Sequence, residues 1–84
     1  MSERAIGRVT HYFGKINVAA VTLTEPLKIG DQLRLKGHTT DFTMTVDRMQ
    51  IEHKDVQEAR PGDDIALHVP QKARQNDEVR KVEA

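Results

Sequence analysis

Three acids occupy the same place in three versions of one phrase. They are Asp31 in KIGDQLRL (28–35), Asp63 in RPGDDIAL (60–67) and Asp77 in RQNDEVRK (74–81). A carboxylate can take up a proton, hold a metal ion or accept hydrogen bonds from nearby amides. The preceding residue favours the last role. Gly30, Gly62 and Asn76 are the residue types that best tolerate positive φ. An acid after such a residue can accept hydrogen bonds from local backbone amides. Each phrase therefore reads as a turn feeding a strand, with Leu33, Ile65 and Val79 pointing inward. Asp63 and Asp64 are adjacent, so their side chains splay apart in an extended chain and do not form a catalytic pair.

Other reactive types offer less. His11, His38, His53 and His68 follow no metal-binding spacing such as His-Glu-x-x-His, and His68, between Leu67 and Val69, points outward. Cysteine is absent, and the only serine, Ser2, falls at a terminus expected to fray, so no Cys or Ser nucleophile is expected. Thr22, Thr24, Thr39, Thr40, Thr43 and Thr45 suit strands and loops. No catalytic residue, metal or cofactor is expected. For binding, Arg8, His11, Tyr12 and Lys15 place cations beside an aromatic ring, the combination that stacks on single-stranded RNA. His53 and Lys54 sit in the exposed turn EHKD (52–55). Lys72 and Arg74, with Arg80 and Lys81, form a basic cluster that reads as a solvated tail.

The elements that position these residues are read from alternation. AIGRVTHY (5–12) is a strand with a bulge or bend at Gly7, and FGK (13–15) is a turn pivoting on Gly14. INVAAVTL (16–23) is a nearly continuous apolar run, suited to a central strand buried on both faces, and TEP (24–26) ends it, because Pro26 cannot donate a ladder hydrogen bond. LRLK (33–36) alternates, and GHTTD (37–41) is a polar loop. Phe42, Met44 and Val46 face inward. The phase slips at Asp47-Arg48, as a β-bulge would make it, before Met49 and Ile51 resume. Residues 56–64 connect to the strand IALHV (65–69). The last stretch fits either a polar helix or a turn at 75–77 followed by a strand at 78–82. The repeat of the turn phrase favours the strand.

The chain has 84 residues and reads as one domain over 1–84, ordered from about 5 to 83. It balances 13 Lys and Arg against 13 Asp and Glu, which weighs against strong free-standing nucleic-acid binding. No apolar run approaches the roughly 20 residues that span a bilayer, and no signal peptide opens the chain. The absence of cysteine excludes disulfides and makes a cytoplasmic location the expectation.

Taken together, LKIGDQLRLKG, VDRMQIEHKDVQEARPGDDIALHV and NDEVRKV resemble the second domain of translational GTPases such as elongation factor Tu. Ala59, Pro61, Gly62 and Asp63 match that domain's Ala-x-x-Gly-Asp entry to an apolar strand. The resemblance implies a six- or seven-stranded antiparallel β-barrel and a non-catalytic role in translation, binding RNA, the ribosome or a translation-linked protein. No Gly-x-x-x-x-Gly-Lys-Ser/Thr loop is present, so no nucleotide is expected. A similar barrel also resembles an appendage of some collagenase-like peptidases. That makes a protein-interaction accessory module for a separately encoded enzyme the alternative.

Overall fold

Alternation becomes strand along most of the chain. The computed structural model describes residues 2–83, and it has ten strands and no helix among them. These are β1 (Ser2–Phe13), β2 (Val18–Leu23), β3 (Leu27–Lys28), β4 (Gln32–Lys36), β5 (Asp41–Thr45), β6 (Met49–Ile51), β7 (Lys54–Asp55), β8 (Glu58–Ala59), β9 (Asp64–His68) and β10 (Glu78–Glu83). Eight strands pair in the order β5-β4-β10-β1-β2-β9-β6-β7, and β3 pairs with β8 in a separate ribbon. Every pairing is antiparallel.

The expected closed barrel of six or seven strands is therefore corrected to an open ladder with β5 at one edge and β7 at the other. The physical reason lies at residues 46–48. The alternation suggests a bulge in one long strand there. Instead the chain leaves the β5 edge, turns a corner and enters β6 beside β9, near the far edge. The main chain is held at both ends of that corner: Val46 N–H donates to Asp31 C=O at 2.9 Å, and Arg48 C=O accepts from His68 N–H at 3.2 Å.

The sheet curls around one apolar core. Ile6, Val9, Leu33, Leu35, Leu67 and Val79 are each fully buried. Burial of one such side chain is worth about 1.5–3 kcal/mol. On β2 the inner row is Ala19, Val21 and Leu23, while Val18, Ala20 and Thr22 are half-buried on the outer face. The run 16–23 is thus one-sided rather than buried on both faces, and Ile16 lies outside the strand, 63% exposed.

The three acidic phrases fold alike. Gly30, Gly62 and Asn76 have φ of 93, 91 and 75°. In each turn the acid's amide donates to the carbonyl three residues back, at 3.1 Å: Asp31 to Lys28, Asp63 to Arg60, Asp77 to Arg74. The acid's carboxylate accepts the amide of that same earlier residue, at 3.0, 2.8 and 2.7 Å respectively. Each turn then straddles one buried aliphatic residue. Gly30 donates to Val46 while Val46 donates to Asp31; Gly62 and Asp63 hold Leu23 in this way, and Asn76 and Asp77 hold Val9. Two residues opposite one, the first at positive φ, is the G1 type of β-bulge. Three such bulges bend the sheet round its core.

Two further close approaches fix the register. A Cβ on Gly7 would lie 2.6 Å from the Thr22 carbonyl oxygen, and β1 shifts register there against β10. A Cβ on Gly37 would lie 1.9 Å from Asp77 Oδ1, so the buried Asp77 packs directly on the β4–β5 turn. At the β1–β2 turn the positive-φ residue is Asn17, at 55°, and not Gly14. The C-terminal stretch is strand. β10 lies between β4 and β1, so Arg80 and Lys81 belong to the middle of the sheet and not to a solvated tail.

Candidate functional site

The outer face of β1, β2, β9 and β6 borders the large apolar side chains that are exposed among the described residues. Register sets Phe13 opposite Val18 and Val18 opposite His68. One row further in, His11 faces Ala20, Ala20 faces Ala66, and Ala66 faces Gln50. Small residues at Val18, Ala20 and Ala66 leave the sheet low. Ile16, Val18, Arg48, Gln50, Ala66 and His68 line a groove of about 210 Å³ there. Among the described residues, Phe13 and Ile16 are the exposed large apolar ones, at 46% and 63%, and the Phe13 ring tilts against His11 with centroids 4.5 Å apart.

The polar wall of the groove is held in place by acids. Asp55 Oδ1 accepts from Gln50 Nε2 at 3.0 Å and from Arg48 Nε at 3.2 Å, and these donors, Gln50 first, hold its carboxyl below the usual range. His68 Nδ1 lies 3.5 Å from Asp47 Oδ1. Apolar edge residues beside a small-residue floor and tethered polar groups can seat an apolar side chain from a partner. Nothing in this arrangement joins a nucleophile to a base. Among the described residues no three His, Asp or Glu side chains gather closely enough to hold a metal.

A second polar cluster covers the outer face of β4, β10 and β1. Arg34 makes a two-pronged bond to Asp41, at 2.8 and 2.9 Å, and a third bond to Glu3 at 3.1 Å. Arg34 and Arg80 are direct cross-strand neighbours, and the Glu3 carboxylate bridges them, reaching Arg80 at 3.4 Å. Arg80 also pairs with Glu78. The Arg34 hydrogen bonds are the main cause that lowers the Glu3 and Asp41 carboxyls below their usual range. This network is structural: it neutralises like charges placed side by side by strand register. Lys81 likewise pairs with Asp31 at 3.4 Å. Half of the basic cluster read from the sequence is therefore engaged inside the fold.

The sequence-derived binding residues fall in three separate regions of the chain. Arg8 and His11 are exposed on β1, and Lys15 is exposed in the turn after it. Tyr12 is half-buried against the core, its hydroxyl donating to Asn17 Oδ1 at 3.4 Å, so Phe13 is the exposed ring of the pair. His53 is exposed in the β6–β7 turn, where Glu52 and His53 both have positive φ, and Lys54 is exposed at the start of β7. Lys72 and Arg74 are exposed in the segment leading to the third bulge. The groove residues Ile16, Val18, Ala66, Gln50, Arg48 and His68 do not stand out in the sequence as binding residues. The signal that could have found them is the small residues Val18 and Ala20 at spacing two, matched by Ala66 in the strand that pairs with them.

Among curated proteins, the chain is 39% identical over 75 residues to an uncharacterized protease of Methanocaldococcus jannaschii. The match takes in 88% of this chain but 18% of that protease, so the chain spans about a fifth of its relative's length. Among solved structures, the C-terminal domain of a candidate U32 peptidase from Geobacillus thermoleovorans superposes with a TM-score of 0.88 at 21% identity. The superposition covers 94% of this chain and 92% of that one. Its selenomethionine form superposes with the same TM-score and covers 93% and 99%. No family model matches the chain. These likenesses overturn the resemblance to the second domain of translational GTPases, and with it the expectation of RNA or ribosome binding in protein synthesis. The Gly-Asp turn phrases that carried that resemblance are backbone devices, and such devices recur wherever a small sheet must bend. No helix among the described residues is long and apolar enough to cross a membrane.

Proposed function

We propose that residues 5–83 form one non-catalytic accessory module that docks on the catalytic part of a U32-type peptidase. The protease match carries this reading, because it places the chain's likeness in a fraction of a much longer protease. The superposition on a peptidase C-terminal domain supports it. The docking face is the Phe13–Ile16 edge with its groove, since an exposed aromatic and an aliphatic beside a small-residue floor form the usual centre of a protein interface. Neutral net charge suits a protein partner better than a polyanion. The cysteine-free sequence suits a reducing compartment such as the cytoplasm.

Affinity capture with the tagged chain from native lysate, read by mass spectrometry, should recover a U32-type peptidase. The double variant Phe13→Ser, Ile16→Ser should lose it while melting within a few degrees of the parent. Recovery of no peptidase by the parent chain would sink the reading.

A further inference from the structure

The edge strand β5 carries a second feature, which adjoins the apolar groove and shares His68 with it. Gly37 N–H donates to Thr40 C=O at 2.7 Å, and Val46 N–H donates to Asp31 C=O at 2.9 Å. In an antiparallel ladder the bonded pairs recur every second residue. Phe42 and Met44 therefore turn their main-chain groups toward β4, at Leu35 and Leu33. Asp41, Thr43 and Thr45 turn theirs away from the sheet, and among the described residues no main-chain group bonds to that side. Within β5 there is no lysine or proline to blunt the edge, and its one charged residue, Asp41, is bonded to Arg34 of the neighbouring strand.

Two grooves flank the strand. One, about 310 Å³, is lined by Gln32, Thr43, Met44, Thr45 and Val82. The other, about 210 Å³, is lined by Met44, Thr45, Asp47, His68 and Pro70. They share Met44 and Thr45. An added strand sends alternate side chains to opposite faces, so it would place one set in each groove. The first groove has no charged lining residue. The second has the Asp47 carboxylate, which lies 3.5 Å from His68 Nδ1 but whose side chain is still 67% exposed. The first suits a small apolar side chain and the second a basic one.

We infer that β5 binds an extended, unfolded polypeptide as an added strand, with its main chain bonded to Thr43 and Thr45 and a basic side chain opposite Asp47. Recognition through the main chain tolerates many sequences, and shallow grooves add only a mild preference. That fits a peptidase's polypeptide substrate better than one fixed docking partner. The choice of substrate as occupant rests on the peptidase reading, whereas the edge chemistry does not.

The probe is an acetylated, amidated hexapeptide of alternating lysine and valine, titrated into the 84-residue chain. Expected are saturable NMR shifts at the Thr43 and Thr45 amides and at least about tenfold slower hydrogen exchange there. The same peptide N-methylated at alternate residues, and the variant Thr43→Pro, should each weaken binding about tenfold or more, because each removes a bonding N–H. A glutamate-for-lysine peptide should bind more weakly than the parent peptide. If Thr43→Pro fails to fold, the N-methylated peptide on the unaltered chain decides. Absence of saturable shifts, shifts centred on another strand, or undiminished binding of the N-methylated peptide would overturn the inference. So would self-association through β5 that the peptide cannot displace, since that assigns the edge to a second copy. Peptide binding at β5 without capture of a peptidase would uphold the edge and remove the proposed partner. Capture without peptide binding would do the reverse.

Discussion

Replacing Gly62 by alanine isolates the cost of one bent backbone. Gly62 has φ of 91°, and a Cβ built there meets nothing within 4 Å. Steric clash with the rest of the fold therefore contributes nothing, and only the dihedral penalty remains. Holding an L-residue in the left-handed region costs about 1–2 kcal/mol. Alanine also narrows the unfolded ensemble, which offsets roughly 0.4–1 kcal/mol. The net loss should be about 1 kcal/mol, or a melting point lower by about 4–8 °C for a domain of this size. Thermal and urea unfolding followed by circular dichroism measure it. Gly30 has φ of 93° and similarly open space, so Gly30→Ala should lose a comparable amount. Asn76, at 75°, already carries a tolerant side chain, so Asn76→Gly should change stability by less than about 0.5 kcal/mol. If Gly62→Ala melts with the parent, or Asn76→Gly costs as much as either alanine, the account of three equivalent bulges is wrong.

Gly37→Ala should be the more damaging glycine substitution, at about 1–3 kcal/mol, because its Cβ would sit 1.9 Å from Asp77 Oδ1 in a packed region. Adding Asp77→Ala should recover part of that loss, and additive losses in the double-mutant cycle would refute the contact. Acid should destabilise the fold through Glu3, Asp41 and Asp55, whose carboxyls are lowered by hydrogen bonds from Arg34, Arg34 and Gln50 respectively. A depressed carboxyl contributes stability above its unfolded value, near 4, and loses it as pH falls through the folded value. Melting temperature should therefore drop below about pH 4, and Asp41→Asn should make that drop shallower. An unchanged acid limb in Asp41→Asn would show that the Arg34 pair contributes nothing to the pH response.

The features legible in the sequence are those that depend on neighbours in the chain. A permissive residue followed by an acid defines a turn within four residues, so all three turns could be placed from local chemistry alone. Alternation assigned Leu33 and Leu35, or Ile65 and Leu67, to one face without knowledge of any partner strand. The repeat of the turn phrase at Asn76-Asp77 favours a strand at 78–82, but nothing local places that strand in the middle of the sheet.

Tertiary pairing decided the rest. Whether the Asp47-Arg48 slip is a bulge or a corner depends on which strand β6 meets, and that strand, β9, lies more than ten residues further along the chain. Closure is likewise a property of the ladder as a whole, since no local pattern states that β5 lacks a second neighbour. Arg34 and Arg80 became structural because register set them side by side over Glu3. The outer groove exists because Val18 and Ala66, small residues nearly fifty positions apart, lie on paired strands whose side chains leave space between larger neighbours. Turn chemistry acts over a few bonds and is written residue by residue. Edges and grooves arise from strands distant in sequence, so they become definite only once the sheet has formed.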